Sequence, residues 1–214
     1  ANAVRALIRL AGEQGRLRYV LLVGDDTFDY RGNLAGMLDE YGLPRAVSYI
    51  PSLYGWDGTF GRIPTENRYA DLDDDGAPDV AIGRLPAQTP EQAAVMADKI
   101  ARQAAVLRSA RGRHLFAVDN QGDGDAPFRS EAESARALLP ADSTVSWADI
   151  AADGAAGARG RLIEGLLRGT MVTHYFGHAG PEIWADEGLL TPDDLPQLER
   201  SYRETVLFTW ACEA

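Results

Sequence analysis

Near the end of the chain a histidine stands in YFGHAG and a cysteine in FTWACEA, as His178 and Cys212. The chain holds one cysteine and three histidines, and these two follow successive apolar runs. A thiolate attacks a carbonyl carbon, an imidazole manages the proton, and nearby backbone N–H groups stabilise the oxyanion that forms. Gly177 and Gly180 flank the histidine and would let the backbone come close to a substrate. The alternative is a buried structural cysteine, the commonest fate of a lone one, with a surface histidine. His174 falls inside its apolar run and reads as a hydrogen-bonded core residue. His114 opens a run beside Arg111 and Arg113 and reads as solvated.

A second chemistry lies in DLDDDGAPD, where Asp71, Asp73, Asp75 and Gly76 follow the D-x-D-x-D-G opening of a calcium loop. Alternate carboxylates there converge on a hard cation, and glycine permits the sharp turn. The position that should carry a bidentate glutamate is Ile82, so this is no EF-hand. It reads as a half-loop with Asp79 as a further ligand, or as a solvated acidic turn. DNQGDGD, with Asp119, Asp123 and Asp125, offers the same two readings. Calcium, if held, is structural, and catalysis by thiol and imidazole needs no cofactor.

These residues need elements to position them. Residues 3 to 14 place Val4, Leu7, Ile8 and Ala11 at helical spacing, closed by Gly15. RYVLLVGDD is a continuous apolar run, the mark of a strand buried on both faces. Similar runs recur as AVSYI, PDVAIGRL, RHLFAVDN, GTMVTHYFGH and ETVLFTWAC. Helical stretches separate several of them, at PEQAAVMADKIARQAAVL, RSEAESARALL and GARGRLIEGLLRG. Alternating strands and helices predict a single α/β domain, a mostly parallel sheet between two helical layers. The section from Asp25 to Arg68 reads as a long irregular loop. In such sheets ligands bind beyond the carboxyl ends of the strands. That rule selects Asp25, Asp26, Asp119, Asn120, His178 and Cys212. Neighbouring strands lie about 4.8 Å apart, so adjacency of the last two would bring His178 and Cys212 to one edge.

The 214 residues carry a formal charge of −11, which argues against a nucleic-acid backbone as partner and suits a basic polypeptide or a cation. One cysteine allows no intrachain disulfide. No apolar run has the length of a membrane span, and the Ala-Asn-Ala start reads as that of a mature fragment or an excised piece. VLLVGDD superficially resembles the acidic strand end of phosphoacceptor domains, but the lysine they need after a late strand is missing, the sole lysine being Lys99 in a helical stretch.

YVLLVGDD, ENRYADLDDDGAPDVAIGRLPAQTPEQAAVMADKI, FAVDNQGDGD, HYFGHAGPEIW and VLFTWACEA resemble, in order, the landmarks of the gingipain-type cysteine peptidases. The resemblance runs from Tyr19 to the end, and PDVAIGRLP and the GHAG…W…AC pair are its most specific parts. It implies a caspase-like three-layer α/β/α sandwich, with Cys212 as nucleophile and His178 as general acid/base on a polypeptide substrate. It implies an oxyanion hole from the N–H groups of Gly177 and Cys212, and Glu66 as the acid that orients the histidine. Trp184 matches the family's aromatic after the histidine. Asp75 is the closest match to the aspartate with which arginine-preferring members read a basic residue before the scissile bond. The family continues past the nucleophile, whereas this chain stops two residues after Cys212. The expectation is therefore one peptidase domain over 1–214, truncated at its carboxyl end or completed by a C-terminal remainder. A secreted or cell-surface location follows from the family, and an inactive calcium-stabilised binding module of the same fold is the alternative.

Overall fold

The structure, a computed structural model, describes residues 1–27, 29–42, 45–58, 61–109, 112–120, 128–199 and 204–211, with backbone alone at 104–109. The residues gather into two compact units, Ala1–Asp98 and Lys99–Ala214.

The first unit contains α1 (Asn2–Gly12), β1 (Tyr19–Val23), α2 (Ala35–Glu40), the antiparallel hairpin of β2 (Leu53–Asp57) and β3 (Gly61–Thr65), the single turn α3 (Asn67–Ala70), β4 (Ala81–Leu85) and the start of α4 (Pro90–Ser109). β1 and β4 pair in parallel from Tyr19 opposite Ala81 to Val23 opposite Leu85. Ile8 of α1 packs with Leu22 and Tyr69, and Val4, Val20 and Ile82 join them. Three expectations are corrected here. Within this unit β1 is buried on one face only, because α1 covers that face while Tyr19, Leu21 and Val23 stay exposed. AVSYI forms no strand: the N–H groups of Tyr49 and Ile50 both turn to the Asp25 carbonyl instead of to a ladder. The supposed long loop contains the β2–β3 hairpin instead.

The second unit contains β5 (Arg113–Val118), α5 (Phe128–Ala137), β6 (Thr144–Asp149), α6 (Ile150–Arg168), β7 (Val172–Phe176), a small ribbon of β8 (Ala179–Gly180) and β9 (Ile183–Trp184), α7 (Leu195–Leu198) and β10 (Val206–Trp210). Four strands form a parallel sheet in the order β10-β7-β5-β6. Strand periodicity sends alternate residues of β5 to opposite faces. Leu115 and Ala117 meet Ala158 and Leu162 of α6, while Phe116 and Val118 meet Phe128 and Ala132 of α5. A parallel sheet flanked by helices on both faces is the α/β architecture that the alternating pattern predicts, in keeping with a caspase-like sandwich. α6 lies close to β5 because Gly165 faces it: a Cβ there would stand 2.7 Å from Leu115 Cδ2.

β6 was not among the predicted strands, since TVSWAD is an edge strand with alternating exposure and offers no continuous apolar run. α6 also begins earlier than its apolar pattern. The Asp149 carboxylate caps it by accepting the Ala152 N–H at 3.2 Å, and Gly154, at φ 69°, makes a kink inside it. Among the described residues no helix is long and apolar enough to cross a membrane.

Candidate active site

The order of the second sheet creates a place for chemistry. From β5 the chain goes on to α5, while after β7 Trp184 and Leu189 join the α6 side. Connections that part to opposite faces open a crevice beyond the carboxyl ends of the two strands, where ligands bind in such folds. Asp119 and Asn120 stand at the end of β5, and Gly177 and His178 at the end of β7.

β7 and β10 are adjacent and parallel, with Phe176 opposite Trp210. His178 is two residues past Phe176, and Cys212 is two residues past Trp210 in the sequence. Cys212 itself lies outside the described residues, as do Asp123 and Asp125. The Gly177 N–H reaches the Trp210 carbonyl at 3.5 Å, a long bond at the very end of the ladder. His178 is exposed, and the edge of its ring meets Phe128 at 5.0 Å between centroids and 87° between planes.

The backbone of His178 is held at both ends. Asp119 Oδ2 accepts its N–H at 3.0 Å. The Tyr175 hydroxyl and, at 2.9 Å, the Ala185 N–H both donate to its carbonyl. Asp119 is only 4% exposed, and burial pushes its carboxyl above the usual range against the opposing pull of the His178 N–H. Nearby Glu187 adds to the rise, and its own carboxylate takes the Asn120 amide at 2.7 Å. Burial likewise raises the Tyr175 phenol.

The remaining candidates fall in different places. Glu66 precedes α3 in the first unit, and Arg84 Nε donates to its Oε1 at 2.7 Å. Arg84 also ties the Gly24 and Ile50 carbonyls, at 2.7 and 2.8 Å. Asp75 is exposed on the amino side of β4, and its carboxylate accepts the Ala77 N–H at 2.8 Å. Trp184 is 8% exposed, stacked on Tyr175 at 4.2 Å with 4° between planes, as a packing residue is. Asp71, Asp73 and Asp79 do converge, each offering a carboxylate oxygen within 4.8 Å of the others. His114 is corrected: it is 5% exposed, because β5 is an inner strand, and its Nδ1 lies 3.4 Å from His174 Nε2.

Sequence reasoning missed the hold that Asp119 and Tyr175 have on His178. The only signal was an aspartate immediately after an apolar strand, which the carboxyl-edge rule selects beside His178 and the acidic loop offers to a metal, with nothing to name its backbone partner.

No curated protein matches the chain closely enough to serve as a relative. A solved structure described as "Structure of Protease" is similar in fold, with a TM-score of 0.63 over 99% of this chain at 17% identity. The chain spans 43% of that protein's length. The model of Peptidase family C25 matches residues 1–214. The chain therefore belongs to peptidase family C25, the gingipain family.

Proposed function

We propose that the protein is a cysteine endopeptidase that cleaves peptide bonds with a dyad of Cys212 and His178. The observation that carries this is the parallel pairing of β7 with β10, which sets Phe176 opposite Trp210 at equal distances before the two residues. The Cys212 thiolate attacks the scissile carbonyl carbon, and the negative charge moves to its oxygen. The N–H groups of Cys212 and of Gly177, the latter giving up its long bond to the Trp210 carbonyl, receive that oxyanion. His178, protonated by the thiol, gives its proton to the departing amine and leaves a thioester. Water then loses a proton to His178, attacks the thioester and releases the acid and the thiol.

A single cysteine makes the test direct. Iodoacetamide should alkylate Cys212 near pH 6 at least about ten times faster than a free cysteine, whose thiolate is scarce there. His178→Ala should remove the advantage. A Cys212 no faster than free thiol would sink the dyad. Fast alkylation without cleavage of any peptide would favour the inactive binding module.

The preferred substrate has a basic residue before the scissile bond. Acidic charge around the histidine supports this: Asp119 is beside it, and Asp186 and Glu187 act on Tyr175 with it. A basic side chain that loses water on binding requires a carboxylate partner. A peptide library should be cut mainly after Arg or Lys. Loss of that preference in Asp75→Asn assigns the reader to Asp75, and loss in Glu187→Gln assigns it to Glu187. Cleavage mainly after apolar or acidic residues refutes both.

Calcium held by Asp71, Asp73 and Asp79 is a separate proposal, supported by their convergence and by all-oxygen donors, which suit a hard cation. Arg5 stands 3.7 Å from Asp71 and shares its charge. Binding to the folded chain alone stabilises it by about 2.7 kcal/mol at a hundred times Kd. Calcium should therefore raise Tm in the natural protein and not in Asp73→Asn. A Tm unmoved by chelator would refute the site.

A further inference from the structure

We propose that Asp119 and Tyr175 are positioning residues for His178, a two-point clamp on its backbone that fixes where the imidazole can reach. This rests on the dyad reading and deepens it. The carboxylate holds the His178 N–H at 3.0 Å, and the phenol holds the carbonyl of the same residue. Asp119 is locked in return, its own N–H bonded to the Phe176 carbonyl at 3.0 Å. The Tyr175 ring cannot swing, because it is fully buried and stacked on Trp184.

Gly177 shows how tightly the clamp closes. A Cβ on Gly177 would stand 2.5 Å from Asp119 Cβ and 2.5 Å from the Tyr175 hydroxyl oxygen. The space that any other residue would need is filled by the two clamping side chains. A buried carboxylate is costly unless it is well hydrogen-bonded, and a charge-assisted bond to an amide is the stronger kind. The Asp119 side chain at this place therefore does more than fill a strand end. It holds the second residue after β7, and the Ala185 N–H, also on the His178 carbonyl, ties the ribbon that follows. Phe128 bounds the ring itself. Displacement of a catalytic group by about 1 Å can cost about a hundredfold in rate, which sets the scale of what such a clamp protects.

The test uses the natural full-length protein. Tyr175→Phe keeps the ring stack and the Ala185 bond, and Asp119→Asn keeps an acceptor of the same shape. Asp119→Ala keeps neither charge nor acceptor. We expect kcat to fall about 10- to 100-fold in Tyr175→Phe and Asp119→Ala, with KM within about twofold and partial recovery in Asp119→Asn. Unchanged kcat with a lowered Tm would reduce the pair to packing, and a raised KM at unchanged kcat would move them to substrate binding. Either result overturns the proposal. Hydrogen exchange at the His178 amide, read in the Cys212→Ala background, tests the clamp without turnover. It should quicken at least about tenfold in Asp119→Ala. Unchanged exchange overturns the clamp even if the dyad stands. A Cys212 that reacts as a free thiol in the natural protein is the separate sign that the dyad has failed.

Discussion

Cys212→Ala should lower kcat/KM of the natural protein by about 10⁴-fold or more while leaving its stability within about 1–2 kcal/mol. The two halves have different causes. A nucleophile is required in every turnover, and alanine offers no atom that can form the acyl intermediate, so only binding and oxyanion stabilisation remain. The stability term is small because one sulfur leaves little cavity. The residue also follows the end of β10, beyond the strand whose pairing with β7 holds that edge. His178→Ala should cost a comparable factor, and the double replacement little more than either alone, since the two act as a unit. Peptide hydrolysis and thermal melting on the same preparations check all of this. Undiminished cleavage by Cys212→Ala would move the nucleophile elsewhere and remove the mechanism. A large loss of Tm would mean that the thiol was part of the core.

The order of elements was legible because β5, β7 and the helices between them carry opposite patterns. RHLFAV is apolar over its last four positions, as an inner parallel strand must be, and AVRALIRLAG of α1 shows the helical spacing that contrasts with it. From this the carboxyl-edge rule picked out His178 without knowledge of strand order. β6 was illegible because its outer face is wet and half of TVSWAD is polar. AVSYI misled in the opposite way, being apolar enough for a strand while its N–H groups serve the Asp25 carbonyl. Register was beyond reach altogether. The spacing of His114 and His174 along the chain says nothing of their meeting across β5 and β7, where Phe116 pairs with His174 and the two imidazoles stack. Asp119 is the same case: its residue type was visible, but its partner is a backbone N–H just beyond the end of another strand.

That histidine pair makes the fold sensitive to mild acid. His174 lies between Phe116 and Phe208, with centroids at 4.5 and 5.8 Å, and burial with the nearby His114 pushes its pKa down to about 4. His114 is also lowered by burial. Its Nδ1 faces His174 Nε2 at 3.4 Å, while His174 Nδ1 is buried with no hydrogen-bond partner among the described residues. The least costly arrangement puts the proton on His174 Nε2, donating to His114 Nδ1, and leaves only a lone pair unsatisfied. A second proton must then enter a site with no acceptor, or come between two nitrogens already sharing one. Unfolded histidine binds its proton near pH 6.5, and folded His174 does so only near 4. Between these values the unfolded chain holds more protons, so stability is full above 6.5 and falls as pH drops towards 4. Asp26 and Asp74, whose carboxyls are lowered from 3.8, lose their contributions only below that window. Asp119 works the other way, since its raised pKa lets the folded chain take up a proton first. The histidine term is about 2 kcal/mol across the window once partial exposure is allowed for. His174→Phe, stacked in the same place, should flatten the fall of Tm between pH 6.5 and 4.5. If the variant loses stability as steeply as the natural protein, the carboxylates govern its response to acid and the pair does not.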